Sequence, residues 1–531
     1  MYETGKLRLK KFYFHPITVF IGLTFLIVLL SGILSLFQMQ ATYNTINANT
    51  NELEPVLITV ENLFSFDGIK YIISNSAKNF LSFAPLGTLL LSLIGLTVAE
   101  GTGFIEMLTR RHVSKIPKYL FTFIIIFISI VSSLINEVGY AILIPLIALI
   151  YFINDRNPIL GIITAFCGVS FGYSISIFVG STEVSLINYT KIAARLIDET
   201  SHISLTSNLI FIIIATIILS IVGTIIVENI IATKIGKYKR DEDLSPTEKY
   251  QSLTIEEAEQ KQMERDKYEK RGLRYALIVS ILFLLFFIYS LIPHLPWSGL
   301  LLDMKENTYL NQLFGPNSYF QDGFTFIVSM FFMLAGVAYG IGSKSITNDR
   351  DIIEKASKKF SNLGSIFILM FVVSQFISVF RKTNIGLIIT AWLANLLSKI
   401  SFNGIPLIVI SLIFIAISNL VLTSPASKWL IFSPVIVPAF MQANISPQFA
   451  QIVMRAGDSM TKGFTPLLAS FVIYIGYLNI YNLKKNKPYT IRESLKIISP
   501  YCLIISLAWI LLVVLWYIIG LPIGPGVYPT I

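Results

Sequence analysis

Long runs of predominantly apolar residues alternate along the chain with shorter segments rich in charge. An α-helix needs about 20 apolar residues to cross the hydrocarbon core of a bilayer. The clearest runs are close to this length, so we predict a membrane-spanning helix at each of them. They are residues 17–38, 79–99, 208–231, 275–292, 324–341, 360–380 and 497–519.

The charged segments between these runs predict the orientation of the chain. Lysine and arginine concentrate in the cytoplasmic loops of membrane proteins. We therefore place five basic segments in the cytoplasm: residues 1–16, 110–115, 234–274, 344–359 and 484–496. Residues 39–78 and 293–323 are poor in lysine and arginine and are placed outside. This arrangement predicts a cytoplasmic N-terminus and an external C-terminus.

Two pairs of shorter apolar segments fit this orientation only as re-entrant hairpins. Residues 119–135 and 138–152 lie between cytoplasmic charges, because the basic segment 110–115 precedes them and Asp155 and Arg156 follow at once. The second pair, residues 405–422 and 429–441, is entered from the outside. The two predicted hairpins therefore enter the membrane from opposite sides.

Each predicted hairpin is followed by an apolar span with a polar interruption. The first span begins at Ile159 and is broken around residues 180–183. The second, residues 449–481, is broken at residues 461–466. Together these elements predict an all-α integral membrane fold of nine transmembrane helices plus two re-entrant hairpins. Opposed hairpins make the two halves an inverted repeat, an arrangement that many secondary transporters share.

This plan divides the chain into two membrane halves. The first half is residues 1–232, with its hairpin at about 119–153. The second half is residues 275–531, with its hairpin at about 404–441. Residues 233–274 form a charged cytoplasmic linker between them.

The linker carries two signals for the start of a helix. Residues 245–248 place a proline at the first helical position, and residues 254–257 fit a capping box. The linker is therefore either a solvated pair of amphipathic helices or a regulatory docking helix.

Composition agrees with a membrane protein and argues against other classes. The chain of 531 residues is 54% hydrophobic and only 14% charged, against about 25% charged in soluble domains. Its net charge of +10 is explained by basic cytoplasmic loops. The sequence has no basic patch interleaved with aromatic residues, so nucleic-acid binding is not predicted. Two cysteines and four histidines show no disulfide or metal-ligand spacing. We expect no enzymatic activity, no cofactor and no bound metal.

Ionisable residues within the apolar segments are the candidates for function, since charge inside a membrane is costly and rarely kept without a role. Arg455 and Asp458 are three residues apart on one helix face, which fits either a structural ion pair or a binding site. Glu183 is either a loop carboxylate or a group that couples transport to a proton or cation. Glu137 either caps a hairpin leg or has the same coupling role.

Residues at the tip of the second predicted hairpin are further candidates. Trp429 follows the polar tip directly, so we expect it to line a cavity and not to anchor the chain at the interface. Lys428 is interpreted as a snorkelling or tip-pairing charge and not as a substrate ligand. Ser427 and Ser424 supply hydroxyl groups at the same tip.

Four segments resemble the AbgT family of p-aminobenzoyl-glutamate transporters. They are residues 78–87, residues 427–429 running into Pro434 and Pro438, residues 455–459 and the tail at residues 520–529. The resemblance extends over essentially the whole chain. It implies a homodimer whose protomers have nine spans and two re-entrant hairpins, related to the divalent-anion/sodium symporters.

The resemblance also implies site residues. The substrate-binding positions are Trp429, Arg455, Pro447 and Pro466, and the coupling positions are Asp458 and Glu183. The family has an aspartate where this chain has Glu183. A family serine falls on Ala426, which leaves Ser427 or Ser424 to supply that hydroxyl or removes the contact.

These observations predict an ion-coupled secondary transporter in a bacterial cytoplasmic (inner) membrane. Its substrate is p-aminobenzoyl-glutamate or a related aromatic carboxylate, or it exports sulfonamides and p-aminobenzoate by the proton motive force. The alternative is a sodium-coupled transporter of another small organic anion. The coupling ion is a proton or Na⁺, and the residues leave the direction of transport open.

Overall fold

The computed structural model describes residues 14–46, 52–135, 137–173, 175–238, 255–315, 317–400, 402–484 and 487–531. Within these ranges the chain is mostly helical. The elements of the N-terminal part are α1 (Pro16–Leu36), β1 (Gln40–Ile46), β2 (Leu53–Thr59), α2 (Phe66–Leu81), α3 (Ala84–Gly101), α4 (Phe104–His112), α5 (Lys118–Val131), α6 (Val138–Ile153), α7 (Pro158–Phe171), α8 (Ser181–Arg195), α9 (Leu209–Ile226) and α10 (Ala232–Ile235).

The remaining elements begin after the linker. They are α11 (Ile255–Ser290), α12 (Tyr309–Phe314), α13 (Tyr319–Ser343), α14 (Asp349–Phe360), α15 (Gly364–Lys382), α16 (Ile385–Leu397), α17 (Ile405–Asn419), α18 (Pro425–Gln442), α19 (Pro447–Thr461), α20 (Phe471–Ile480) and α21 (Ile491–Ile519). The predicted helix start at residues 245–248 lies outside the described residues, as does Thr254, whereas α11 begins at Ile255.

Eight helical stretches of the described chain are long and apolar enough to cross a membrane. Seven of them contain the predicted spans in whole or in most of their length. The eighth, Lys118–Ile135, is the first leg of the first predicted hairpin. Length and composition alone do not distinguish a re-entrant leg from a span, so the number of spans stays a prediction.

The predicted external segment 39–78 contains structure that the sequence pattern did not reveal. β1 and β2 form an antiparallel hairpin in which Gln40 pairs with Thr59 and Ile46 with Leu53. α2 follows and ends at Leu81, where the chain bends before α3. The predicted span 79–99 therefore begins later than expected, because Pro85 sits in the first turn of α3 and the preceding Phe83 is extended.

In the first half, the helical chain is interrupted between α7 and α8. α7 ends at Phe171 and α8 begins at Ser181. The described residues between them, 172–173 and 175–180, are not helical. The prediction placed the break around residues 180–183. In the structure Ser181 and Glu183 instead form the first turn of α8, and the break precedes them.

The second half contains the corresponding break. α19 ends at Thr461 and is followed by the 3₁₀ turn Lys462–Phe464, and α20 begins at Phe471. Pro466 lies between these two elements, as expected of a residue that cannot continue a helix.

The two halves contact each other reciprocally around these breaks. α7 packs between α5 and α6, and α19 packs against α17 and α18. Beyond each break the chain crosses to the other half, so that α8 packs against α18 and α20 packs against α6. Each predicted hairpin therefore contacts the broken helix of its own half and the helix that follows the break in the other half.

Close backbone contact joins α3 to α13 elsewhere in the molecule. The amide of Gly95 donates to Ser329 Oγ at 3.0 Å, and a Cβ at Gly95 would collide with the carbonyl oxygen of Ser329. The backbones are close again at Ala99, one helical turn beyond Gly95 in α3, where a Cβ at Gly336 would lie 2.7 Å from Ala99 Cα. Small residues allow such helix contacts in membranes, where packing is a main source of association.

We expect Gly95→Val to lower the free energy of unfolding by about 1–3 kcal/mol, because the added side chain must force the two backbones apart. The matched control is Gly87→Val on the same helix, where a Cβ meets no atom within 4 Å. Thermal unfolding of the purified protein in detergent measures both. Equal stability of the two variants would contradict this contact.

Candidate functional site

Buried charged side chains gather where α8, α18 and α19 meet. α19 carries two of them, Arg455 and Asp458, one helical turn apart. Arg455 is only 4% exposed and Asp458 is fully buried. The start of α19 is defined by two residues. Ser446 is the N-cap, whose hydroxyl oxygen accepts from the amide of Phe449 at 3.3 Å, and Pro447 occupies the first helical position.

Arg455 forms an ion pair with Glu183. Glu183 lies in the first turn of α8 and is 2% exposed. The negative charge is favourable at this end of the helix, where backbone N–H groups point outward. Because α8 belongs to the first half and α19 to the second, this ion pair joins the two halves.

The ion-pair partners of Asp458 are lysines. The expected pairing of Arg455 with Asp458 is therefore corrected: Arg455 pairs with Glu183, and Asp458 pairs with lysine side chains. Lys428, from the first turn of α18, forms an ion pair with Asp458 Oδ1. Lys462, four residues beyond Asp458, lies 3.6 Å from Oδ2. Asn419 completes the group, because its Oδ1 accepts from Lys428 Nζ at 2.5 Å and its amide donates to the carbonyl of Asp458 at 2.7 Å.

Trp429 directly follows Lys428 in α18 and is completely buried. Its indole N–H donates to Thr190 Oγ1 at 2.8 Å, and the Thr190 hydroxyl donates to Gln451 Oε1 at 2.9 Å. This chain of hydrogen bonds connects α18, α8 and α19. It fixes the orientation of the indole ring.

Ser427 takes part in the local structure of the second hairpin tip. Its hydroxyl donates to Ser424 Oγ at 3.0 Å, and Ser424 is the N-cap residue of α18. Ala426 lies between them in the same helical turn. The structure thus brings Ser427 to the tip, one residue before Lys428.

Glu137 lies at the tip of the first hairpin and is partly buried. Its Oε2 accepts from Ser470 Oγ at 2.7 Å. Ser470 directly precedes α20, so this contact also joins the two halves. Glu137 is therefore associated with the second break and not with the Glu183–Arg455 pair.

The two prolines occupy different places. Pro466 follows Thr465, whose hydroxyl donates to the carbonyl of Leu420 at the second tip at 2.8 Å. Pro447 begins α19, eight residues before Arg455 and so about 12 Å away along the helix axis. The C-terminal tail packs there, with the amide of Ser446 donating to the carbonyl of Pro529 at 2.8 Å.

Sequence reasoning missed several members of this site. Lys462 and Asn419 were not singled out, and Lys428 was set aside as a tip charge. The spacing of Asp458 and Lys462 was an available signal, since residues four apart in a helix are neighbours. Thr190 and Gln451 gave no signal, because their roles depend on contacts between distant segments.

Among the described residues, no group of three or more histidine, cysteine, aspartate or glutamate side chains could hold a metal ion. The site is instead built from paired charges at two helix breaks inside a bundle of apolar helices. Non-helical backbone is tolerated at membrane depth where it is enclosed by protein. Such breaks hold substrates and ions in secondary transporters. The fold and the site therefore define a membrane transport protein.

Residues 9–531 match the sequence model of the AbgT putative transporter family, and the chain belongs to this family. This confirms the resemblance found in the motifs and the prediction of a transporter and not an enzyme. The chain is 28% identical over 517 residues to the p-aminobenzoyl-glutamate transport protein of Escherichia coli (strain K12), covering 97% of this chain and 94% of that protein.

Two solved structures are also similar in sequence. The YdaH transporter of Alcanivorax borkumensis, described as having an unusual topology, is 27% identical, with 96% of this chain and 100% of that chain covered and a TM-score of 0.47. MtrF of Neisseria gonorrhoeae, described as illuminating a class of antimetabolite efflux pumps, is 28% identical, with 97% and 98% covered and a TM-score of 0.46.

The ion pair between Glu183 and Arg455 has a measurable consequence for stability. Removing one member leaves an uncompensated buried charge, which costs about 3–5 kcal/mol. We expect Glu183→Gln and Arg455→Gln each to destabilise the protein by this amount, and the double variant to lose much less than the two together.

A double-mutant cycle on thermal unfolding in detergent measures the coupling. The exposed pair Arg350–Glu354, with Arg350 Nε 2.7 Å from Glu354 Oε1, is the control, and its cycle is expected to show little coupling. Additive effects of the two buried substitutions would contradict the pair.

Proposed function

We propose that this protein is a proton-coupled transporter of p-aminobenzoyl-glutamate or a closely related aromatic carboxylate. The observation that carries the proposal is the buried Arg455, which pairs with Glu183 where α8 and α19 meet. The same two helices supply Thr190 and Gln451, which hold the indole ring of Trp429 by hydrogen bonds. A guanidinium group binds carboxylates in a bidentate manner. An indole ring can stack on the aromatic ring of an aminobenzoyl group.

The charge of the site favours an anionic substrate. Among the fully or almost fully buried groups that pair here, three are cations and two are anions, which leaves one positive charge in excess. The cations are Arg455, Lys428 and Lys462, and the anions are Glu183 and Asp458. An unbalanced charge inside a membrane protein is costly, so a bound anion would stabilise the site.

The pairing of Arg455 with Glu183 supports a proton as the coupling ion. A substrate carboxylate that binds Arg455 must displace Glu183, which then becomes a buried anion without a counter-ion. Taking up a proton removes this charge. Substrate and proton therefore bind together, and by linkage each strengthens the binding of the other.

The sign of this linkage supports co-transport of proton and anion. The empty site is closed by the Glu183–Arg455 pair, and the loaded site by the substrate–Arg455 pair and a neutral Glu183. A site with the proton but no substrate would leave Arg455 unpaired, which is unfavourable in a buried environment. Export driven by an inward proton gradient needs competition between proton and substrate, which is the opposite sign.

The setting of the transporter follows from the charge distribution and the family resemblance. We propose a homodimer in the bacterial cytoplasmic (inner) membrane, with the N-terminus in the cytoplasm and the C-terminus outside. The basic segments on one side of the predicted spans support this orientation. The sodium-coupled alternative has no comparable support from the contacts of Glu183.

Uptake into proteoliposomes tests the proposal directly. We expect labelled p-aminobenzoyl-glutamate to accumulate when a proton gradient is imposed, and an imposed sodium gradient alone to have no effect. The Glu183→Gln/Arg455→Gln double variant is expected to be folded but to lose uptake, whereas the surface pair Arg350→Gln/Glu354→Gln is the control that keeps it. A labelled sulfonamide tested in parallel for efflux measures the opposite direction.

Two results would contradict the proposal. One is uptake that follows the sodium gradient and ignores a proton uncoupler, which would favour the sodium-coupled alternative. The other is uptake at the wild-type rate by the double variant, which would remove Arg455 from the site.

The excess positive charge also predicts a preference for substrates with two carboxylates. A glutamate group contributes two negative charges, which together with one proton balance the single positive excess of the empty site. We expect p-aminobenzoyl-glutamate to have a KM at least about tenfold lower than p-aminobenzoate, since one paired charge is worth a kcal/mol or more in a buried site. Equal KM values for the two compounds would argue against this charge balance.

A further inference from the structure

We propose that Lys428 and Lys462 are tethered cations, whose ammonium groups fill a cation-binding site at the tip of the second hairpin in place of a free sodium ion. The geometry assigns both lysines a positioning role in transport that goes beyond pairing with Asp458. The inference rests on the proposed function only for its consequence in transport, because the site itself is defined by contacts.

Oxygen atoms from the second hairpin and α19 converge on Lys428. Its ammonium group contacts the carboxylate of Asp458 and lies 2.5 Å from Asn419 Oδ1. The side chain is fully buried, so water does not solvate the charge from outside the protein. Asn419 is held in place by its own bond to the carbonyl of Asp458 at 2.7 Å, which fixes its oxygen towards the lysine.

Lys462 enters the same region from the other side. Its Nζ donates to the carbonyl oxygen of Thr423 at 3.1 Å and lies 3.6 Å from Asp458 Oδ2. It also lies 3.5 Å from the centre of the Tyr173 ring, a cation–π contact. This side chain is fully buried as well. The two carboxylate oxygens of Asp458 are thus divided between two ammonium groups.

The same atoms would suit a small metal cation. A carboxylate, an amide oxygen and a backbone carbonyl at an unwound hairpin tip are hard oxygen ligands, which alkali cations prefer. The tip also follows the C-terminal end of α17, where the helix dipole favours positive charge. Helix ends and loosened carbonyls of this kind hold Na⁺ in other secondary transporters. Here the chain supplies the charge itself.

A tethered cation differs from a free one in its consequence for coupling. It cannot dissociate on either side of the membrane, so it contributes a constant charge throughout the transport cycle. The second tip then keeps its structure without sodium. Coupling must therefore come from a group that changes its charge state, for which Glu183 is the candidate.

The test compares the stability of purified protein in sodium chloride and in choline chloride at equal ionic strength. We expect wild-type protein to unfold at the same temperature in both salts. Lys428→Ala should unfold at a clearly lower temperature in choline and recover most of this loss in sodium, because Na⁺ can enter the space left beside Asp458. Lys496→Ala, at an exposed position, is the control and should show no difference between salts.

Further variants separate the outcomes. Lys428→Ala/Asp458→Asn removes both charges and is expected to lose the response to sodium. Lys462→Ala serves if Lys428→Ala does not fold, and should show the same recovery. Binding of radioactive ²²Na⁺ to wild-type protein needs no variant and should be absent at this site.

Two results would overturn the inference. The first is binding of ²²Na⁺ to wild-type protein that is lost in Asp458→Asn, and the second is an equal loss of stability by the folded lysine variants in both salts. Neither readout uses substrate. The inference can therefore fail while proton-driven uptake persists, and uptake can fail while the cation response persists.

Discussion

The structure depends on how buried charge is neutralised inside a membrane. The ion pair between Glu183 and Arg455 neutralises two buried charges and also joins the two halves, because one member belongs to each half. Neither side chain is tolerable alone in this environment. A movement that separates the two halves must therefore supply each of them with another way to be neutral.

The rest of the site follows from that requirement. In the proposed function, Arg455 is neutralised by a substrate carboxylate and Glu183 by a proton, so we expect separation of the pair to be linked to the arrival of both. Asp458 lies one turn beyond Arg455 but has two lysine partners of its own, and so it is not available to replace Glu183. We therefore propose that the Glu183–Arg455 pair exchanges partners during transport, whereas the charge of the group around Asp458 is fixed.

Features that depend on a single continuous segment could be predicted from the sequence. A run of apolar residues predicts a span wherever it is long enough, as at residues 17–38 and 497–519, which correspond to α1 and the main part of α21. The hairpin β1–β2 was missed because it lies in a polar stretch, where strands have no apolar run to mark them. α16 was missed because Ile385–Leu397 has only 13 residues, fewer than a span needs.

For the site, the sequence predicted candidate residues but not their partners. The motifs identified Arg455, Asp458, Trp429 and Glu183 as important, but helix spacing suggested that Arg455 and Asp458 could pair with each other. The actual partners come from different segments, and no local pattern contains that information. The position of Lys428 in the chain resembled that of an ordinary tip charge, and only its burial beside Asp458 reveals its partners.

The number of protons that accompany binding tests the central claim most directly. The measurement is proton uptake by purified wild-type protein when p-aminobenzoyl-glutamate binds, followed with a pH indicator in weakly buffered detergent solution. Exchange of partners at Arg455 predicts uptake of about one proton per substrate bound, and none in Glu183→Gln. Release of protons on binding, or the same uptake in Glu183→Gln, would contradict the account.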